Sequence, residues 1–100
     1  MTIKEADIES YLVQQVKLAG GEIRKTKWIG RKHAPDRYVM LPHSERRAFG
    51  TQDCFFWIEL KAPGEKPTEG QRREHQRMTL LGVRVCVVDS YDGVDKALKT

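Results

Sequence analysis

A chain of 100 residues, 39% hydrophobic, suits one domain with a modest core. No apolar run approaches the roughly 18–20 residues needed to span a bilayer. The start, MTIKEADIES, lacks the apolar stretch of a secretory signal. Cys54 and Cys86 lie in apolar runs without zinc-ligand spacing, and read as buried free thiols of a cytoplasmic protein. The net charge is only +4, but its distribution is uneven. Residues 22–47 hold eight Lys or Arg against three acids, and Lys66, Arg72, Arg73 and Arg77 form a second group. Such clustering suits a polyanion such as nucleic acid. A solvated surface, an acidic substrate or an anionic membrane would satisfy the same charges.

In chain order, Ile8, Leu12, Val16 and Ala19 mark one stripe of an amphipathic helix over 4–19, ended by Gly20-Gly21. EIRKTKWI, 22–29, predicts a strand, although neither of its faces is cleanly polar. GRKHAP, 30–35, is a loop, and DRYVMLP, 36–42, a second strand between prolines. HSERRAFGTQD, 43–53, is polar and connects antiparallel strands. CFFWIELK, 54–61, is the strongest strand pattern in the chain. After the loop APGEKPTEG, a helix covers 69–81, with Thr68-x-x-Gln71 as a capping box and Met78 and Leu81 as its apolar edge. VRVCVVDS, 83–90, predicts a buried strand, and DGVDKALK a short closing helix. A helix between the last two strands implies a crossover, hence an α/β fold with a mixed sheet of about four strands flanked by helices.

Side chains alternate along a strand, so Phe55, Trp57, Glu59 and Lys61 share one face. A central strand seldom places two ionisable groups together unless they are exposed or paired. Asp36 follows a stiffening proline just ahead of the neighbouring strand and can lie near Glu59. Two carboxylates brought together repel unless a cation intervenes, and hard oxygen ligands suit Mg²⁺. A lysine beside such a site could orient a metal-bound water. Taken singly, these features are ordinary: Pro-Asp opens many turns, and Glu-x-Lys ends many strands.

APDR at 34–37, FWIELKAPGEKPTEGQRREHQRMTLLG at 56–82 and the following VRVCVVDS resemble the VRR-NUC family, compact nucleases of the PD-(D/E)xK superfamily. The helix EADIESYLVQQVKLAGG is similar to that family's opening helix. Only the loop at 43–53 and the last ten residues lie outside the resemblance. It implies a single nuclease domain over 1–100 with a restriction-endonuclease-like αβββαβ core. It also implies a Mg²⁺- or Mn²⁺-dependent DNA endonuclease of the bacterial or phage-infected cytoplasm.

Carried over by motif, Asp36 and Glu59 become metal ligands, with the carbonyl of Leu60 a third. Lys61 positions the attacking water and Gln71 assists. The opening-helix glutamate falls on Glu5 or Glu9, one turn apart, with Glu9 preferred for its distance to Gly20. Arg24, Lys25, Lys27, Arg31, Lys32, Arg37, Arg72 and Arg73 are the candidates for gripping the DNA backbone. They offer no base readout, which favours structure-selective cleavage. Family resemblance further implies a homodimer acting on branched DNA such as a four-way junction, with flaps or nicked duplex as the substrate alternative. A non-catalytic nucleic-acid-binding module and a nuclease acting on RNA are the other readings. His33 replaces a position where the family often has glycine, and reads as loop surface. His75 reads as helix surface, and Trp28 and Trp57 as core or interface.

Overall fold

The computed structural model describes residues 2–99. Helix α1 (Glu5–Leu18) buries Ile8, Leu12 and Val16 completely, the stripe that its four-residue spacing requires. Strands β1 (Glu22–Lys25), β2 (Arg37–Met40) and β3 (Phe55–Leu60) precede helix α2 (Glu69–Leu80). Strand β4 (Val85–Val88) and helix α3 (Tyr91–Lys99) follow it. Gly20, at φ +82°, ends α1, and the Gly20 and Gly21 N–H groups return to the carbonyls of Lys17 and Val16, each at 2.9 Å. A Cβ on residue 21 would lie 2.4 Å from the carbonyl oxygen of Met40, so only glycine lets this turn sit against the end of β2.

The strands form one sheet in the order β1-β2-β3-β4. β1 with β2 and β2 with β3 are antiparallel, whereas β3 with β4 is parallel, joined through α2. This is the expected mixed α/β sheet flanked by helices. One face carries the core: Val39, Leu41, Phe56, Ile58, Leu60 and Val88 pack with the α1 stripe and with Val94, Ala97 and Leu98 of α3. The two helices on this face are also tied by Tyr11, whose hydroxyl donates to Asp95 at 2.8 Å.

Four expectations change. The first strand ends at Lys25 rather than near residue 29. The indole N–H of Trp28 donates to the Pro35 carbonyl at 2.7 Å and its ring lies 5.0 Å from that of Trp57, so the chain leaves the ladder and folds back as a loop. β4 is an edge strand, not a buried one: Val88 is covered but Val87 is 43% exposed. Of the two free thiols, Cys54 is buried and Cys86 only half-buried. Finally, Leu81 is exposed, and the buried face of α2 consists of Glu74, His75 and Met78. α2 lies over the polar face of the sheet, where a side chain must meet charged groups rather than core.

Candidate active site

Alternation along β3 separates two environments. Phe56, Ile58 and Leu60 enter the core, while Trp57 and Glu59 face the opposite side with the Lys61 that follows them. β2 pairs with β3 so that Arg37 stands across from Ile58, and one further step of this register sets Asp36 across from Glu59. Pro35 is buried just before it, and the Asp36 carbonyl accepts the N–H of Thr26 at 2.8 Å, which fixes the approach. The main chain of Lys61 is held by donation to the Val88 carbonyl at 2.9 Å. Two strands and their register thus bring Asp36, Glu59 and Lys61 to one end of the sheet.

Glu59 is the electrostatic centre of this group. Its side chain is 13% exposed, and burial is the main reason its carboxyl is pushed up to about 7. The negative charges of Asp36 and Glu5 push the same way, and the positive charges of Lys61 and Arg37 oppose them. Lys61 is itself buried, with Nζ 3.7 Å from Glu65 Oε1. The N-terminal turn of α1 therefore belongs to the site through the charge of Glu5.

Glu9 has another partner. Arg37 donates from Nε to Glu9 Oε2 at 2.8 Å and from Nη2 to the same oxygen, while its Nη1 donates to Asp36 Oδ1 at 2.5 Å. The guanidinium joins α1 to the strand bearing Asp36, and Arg37 is only 8% exposed. Strand alternation turns it towards α1, away from the surface where a backbone-gripping arginine would stand. Leu60 keeps its side chain in the core.

α2 closes the site from above. Its capping box forms: the Gln71 N–H donates to Thr68 Oγ1 at 3.1 Å, and the Thr68 N–H to Gln71 Oε1 at 2.9 Å. The carbonyl end of Gln71 is thereby engaged. One turn on, His75 is buried, with Nε2 3.7 Å from Glu59 Oε1 and, among the described residues, without a hydrogen-bond partner. Burial, with help from the Lys61 charge and against that of Glu74, holds its imidazole below the ordinary value and so neutral. The sequence did carry a signal for His75. α2 has almost no apolar stripe, so its packed face had to be built from polar residues at helical spacing from Gln71. The His33 ring lies against the first turn of α2, where a Cβ on residue 70 would come within 2.8 Å of it.

Most of the predicted basic grip is paired. Arg24 bonds Glu22, Arg31 and Arg77 bond the buried Glu74, and Arg72 and Arg73 bond Glu69. Lys25, Lys27 and Lys32 are exposed, and among the described residues they form no ion pair.

Among the described residues, no group of three or more His, Cys, Asp or Glu is arranged to hold a metal ion as it stands. A magnesium-type ion needs less than that, because one or two carboxylates plus water and substrate oxygens complete its shell. Asp36 and Glu59 are hard oxygen donors on adjacent strands, and Glu59 is a carboxylate whose ionisation needs a nearby positive charge. The donor set fits a divalent cation.

No family model matches the chain. It is 43% identical over 90 residues to "Putative nuclease p44" of Acyrthosiphon pisum secondary endosymbiont phage 1, covering 90% of this chain and 87% of that protein. A solved structure described as "VRR_NUC domain" superposes with a TM-score of 0.75 at 35% identity, over 94% of this chain and 92% of the other.

Proposed function

Because the chain belongs to the VRR_NUC family, we propose that it is a divalent-metal-dependent endonuclease that hydrolyses phosphodiester bonds in branched DNA, working as a homodimer of this single domain. The observation that carries the reading is the β2–β3 register, whose next step beyond Arg37 and Ile58 sets Asp36 across from Glu59, with Lys61 two residues further on. Asp36, Glu59 and the main-chain carbonyl of Leu60 would hold Mg²⁺ or Mn²⁺, with Glu5 or Glu9 contributing directly or through water. Such an ion, when bound, acidifies water and neutralises charge developing on the phosphate.

The chain's own residues supply the rest. Lys61 is buried beside Glu59, where its charge opposes the upward push on that carboxyl, and its ammonium orients the attacking water. Gln71 uses its carbonyl for the helix cap, which leaves its amide N–H groups for a phosphate oxygen or the water. Arg37 draws Glu9 and Asp36 together and sets the carboxylate where the substrate arrives. The free lysines of the β1–β2 loop lead the DNA backbone towards this end of the sheet. They provide charge without base readout, which favours recognition by shape.

The decisive assay incubates labelled four-way junction, flap, linear duplex and RNA with Mg²⁺, Mn²⁺ or EDTA. Junction cleavage that needs the metal and disappears in Lys61→Ala, with junction binding nearly intact, is the expected outcome. Binding without metal-dependent cutting on any substrate would instead mark a non-catalytic nucleic-acid-binding module. A monomer by size-exclusion chromatography at micromolar concentration would remove the dimer from the proposal.

A further inference from the structure

We infer that His75 is a positioning residue for Glu59, donating from Nε2 to hold the carboxylate in the orientation that binds the metal; this rests on the nuclease reading above. Three observations lead there. His75 is packed under α2 with a side chain only 11% exposed. Its Nε2 is a buried polar atom with no hydrogen-bond partner among the described residues, a state that ordinarily costs about 1–3 kcal/mol. The nearest acidic oxygen is Glu59 Oε1 at 3.7 Å, a gap that a small torsion of either side chain closes to hydrogen-bonding distance.

The groups around the imidazole fix which way the bond runs. Glu74 and Lys61 are the groups whose charges act on it, and Glu74 is already held by Arg31 and Arg77. The ammonium of Lys61 can only donate, so it offers Nε2 no acceptor. Glu59 is the remaining acceptor within reach, and a neutral imidazole protonated at Nε2 matches it. A carboxylate that serves a cation has lone pairs to spare, and a donor from behind restricts which oxygen faces the metal. His75 thus acts on the site through Glu59 and need not touch the DNA. Gln71, one turn earlier on the same helix, caps α2 and so fixes the depth at which His75 sits.

The test is calorimetric titration of Mn²⁺ into the DNA-free protein, comparing wild type with His75→Leu and His75→Gln. Each variant is first checked for an unchanged circular-dichroism spectrum. His75→Leu is expected to weaken Mn²⁺ binding about 10-fold or more. His75→Gln, whose amide can donate to the same oxygen, should recover most of the affinity. In cleavage assays the loss should appear as a higher Mn²⁺ requirement, with junction affinity unchanged. Equal Mn²⁺ affinity in wild type and His75→Leu overturns the inference and leaves the nuclease reading standing. Equal weakening in the Leu and Gln variants also overturns it, since packing rather than donation would then matter. Absence of any Mn²⁺ binding by the wild type overturns both. Should His75→Leu fail to fold, His75→Ala, which also lacks a donor, takes its place and is read by the same outcomes.

Discussion

Below about pH 4.5 the Glu59 carboxyl is protonated in the folded and unfolded chain alike, and its burial costs little. Between that value and about 7 the unfolded chain releases its proton while the folded one retains it. The folded state then binds more protons, so stability falls as pH rises through this window. Above it the full cost is present, on the order of 2–3 kcal/mol for a shift of this size. Glu59→Gln should therefore melt higher than wild type at pH 8 in EDTA and at nearly the same temperature at pH 4, while losing metal-dependent cleavage. Thermal melts by circular dichroism at the two pH values check this, and a lower melting temperature at pH 8 would refute it. Lys61 and Arg37 reduce the cost without abolishing it. In the proposed nuclease, such a site would exchange stability for cation affinity.

Helix α2 shows how a nearly non-hydrophobic element is held. Glu74 is 3% exposed, and the Arg31 side chain from the β1–β2 loop donates to its two oxygens, at 2.9 Å from Nε and 2.5 Å from Nη2. These bonds, with those of Arg77, hold the Glu74 carboxyl down at about 2. A depressed acid stabilises the fold fully above its unfolded value near 4.5, and the contribution is lost as pH falls towards 2. Glu74→Gln should thus lower the melting temperature at pH 7, and the deficit should shrink on acidification. With Arg31 half exposed, a loss of about 1 kcal/mol is expected, or roughly 4–8 °C for a chain of this size.

The same helix marks where sequence reasoning stops. The strand CFFWIELK and the α1 stripe were legible because a period of two and a spacing of four each follow from one burial requirement. The cap at Thr68 and Gln71 was legible for a similar reason, since it is a local bond between near neighbours. The contact of His75 with Glu59 and the Arg31–Glu74 tie were not. They depend on which face of the sheet the crossover helix covers, and no local pattern encodes that. Arg37 was misplaced among surface cations for the same reason: its parity was readable, but the presence of Glu9 across the interface was not.

At the scale of the whole molecule, the charge available to DNA is narrower than composition suggests. Of the eight expected basic contacts, Lys25, Lys27 and Lys32 are exposed and form no ion pair among the described residues, all within or next to the loop that leads to Asp36. Replacing these three with alanine should lower junction affinity with little change in structural preference. The log–log salt slope of binding should fall by about 0.9 for each lost contact to a duplex phosphate. Fluorescence-anisotropy titrations across a salt series would measure it, and an unchanged slope would move the DNA path elsewhere. The register of β2 has a different kind of consequence, for how the chain can change length. Asp36 and Arg37 are neighbours on opposite faces, so inserting one residue inside β2, with the rest of the strand in register, would deliver a guanidinium where a carboxylate belongs. Residues 41–54 join β2 to β3 at the end marked by Met40 and Phe55, away from Asp36 and Glu59. Insertions and deletions can accumulate in that connection while Asp36, Glu59 and Lys61 keep their places. Length variation among relatives should therefore gather in this connection and avoid the strands on either side.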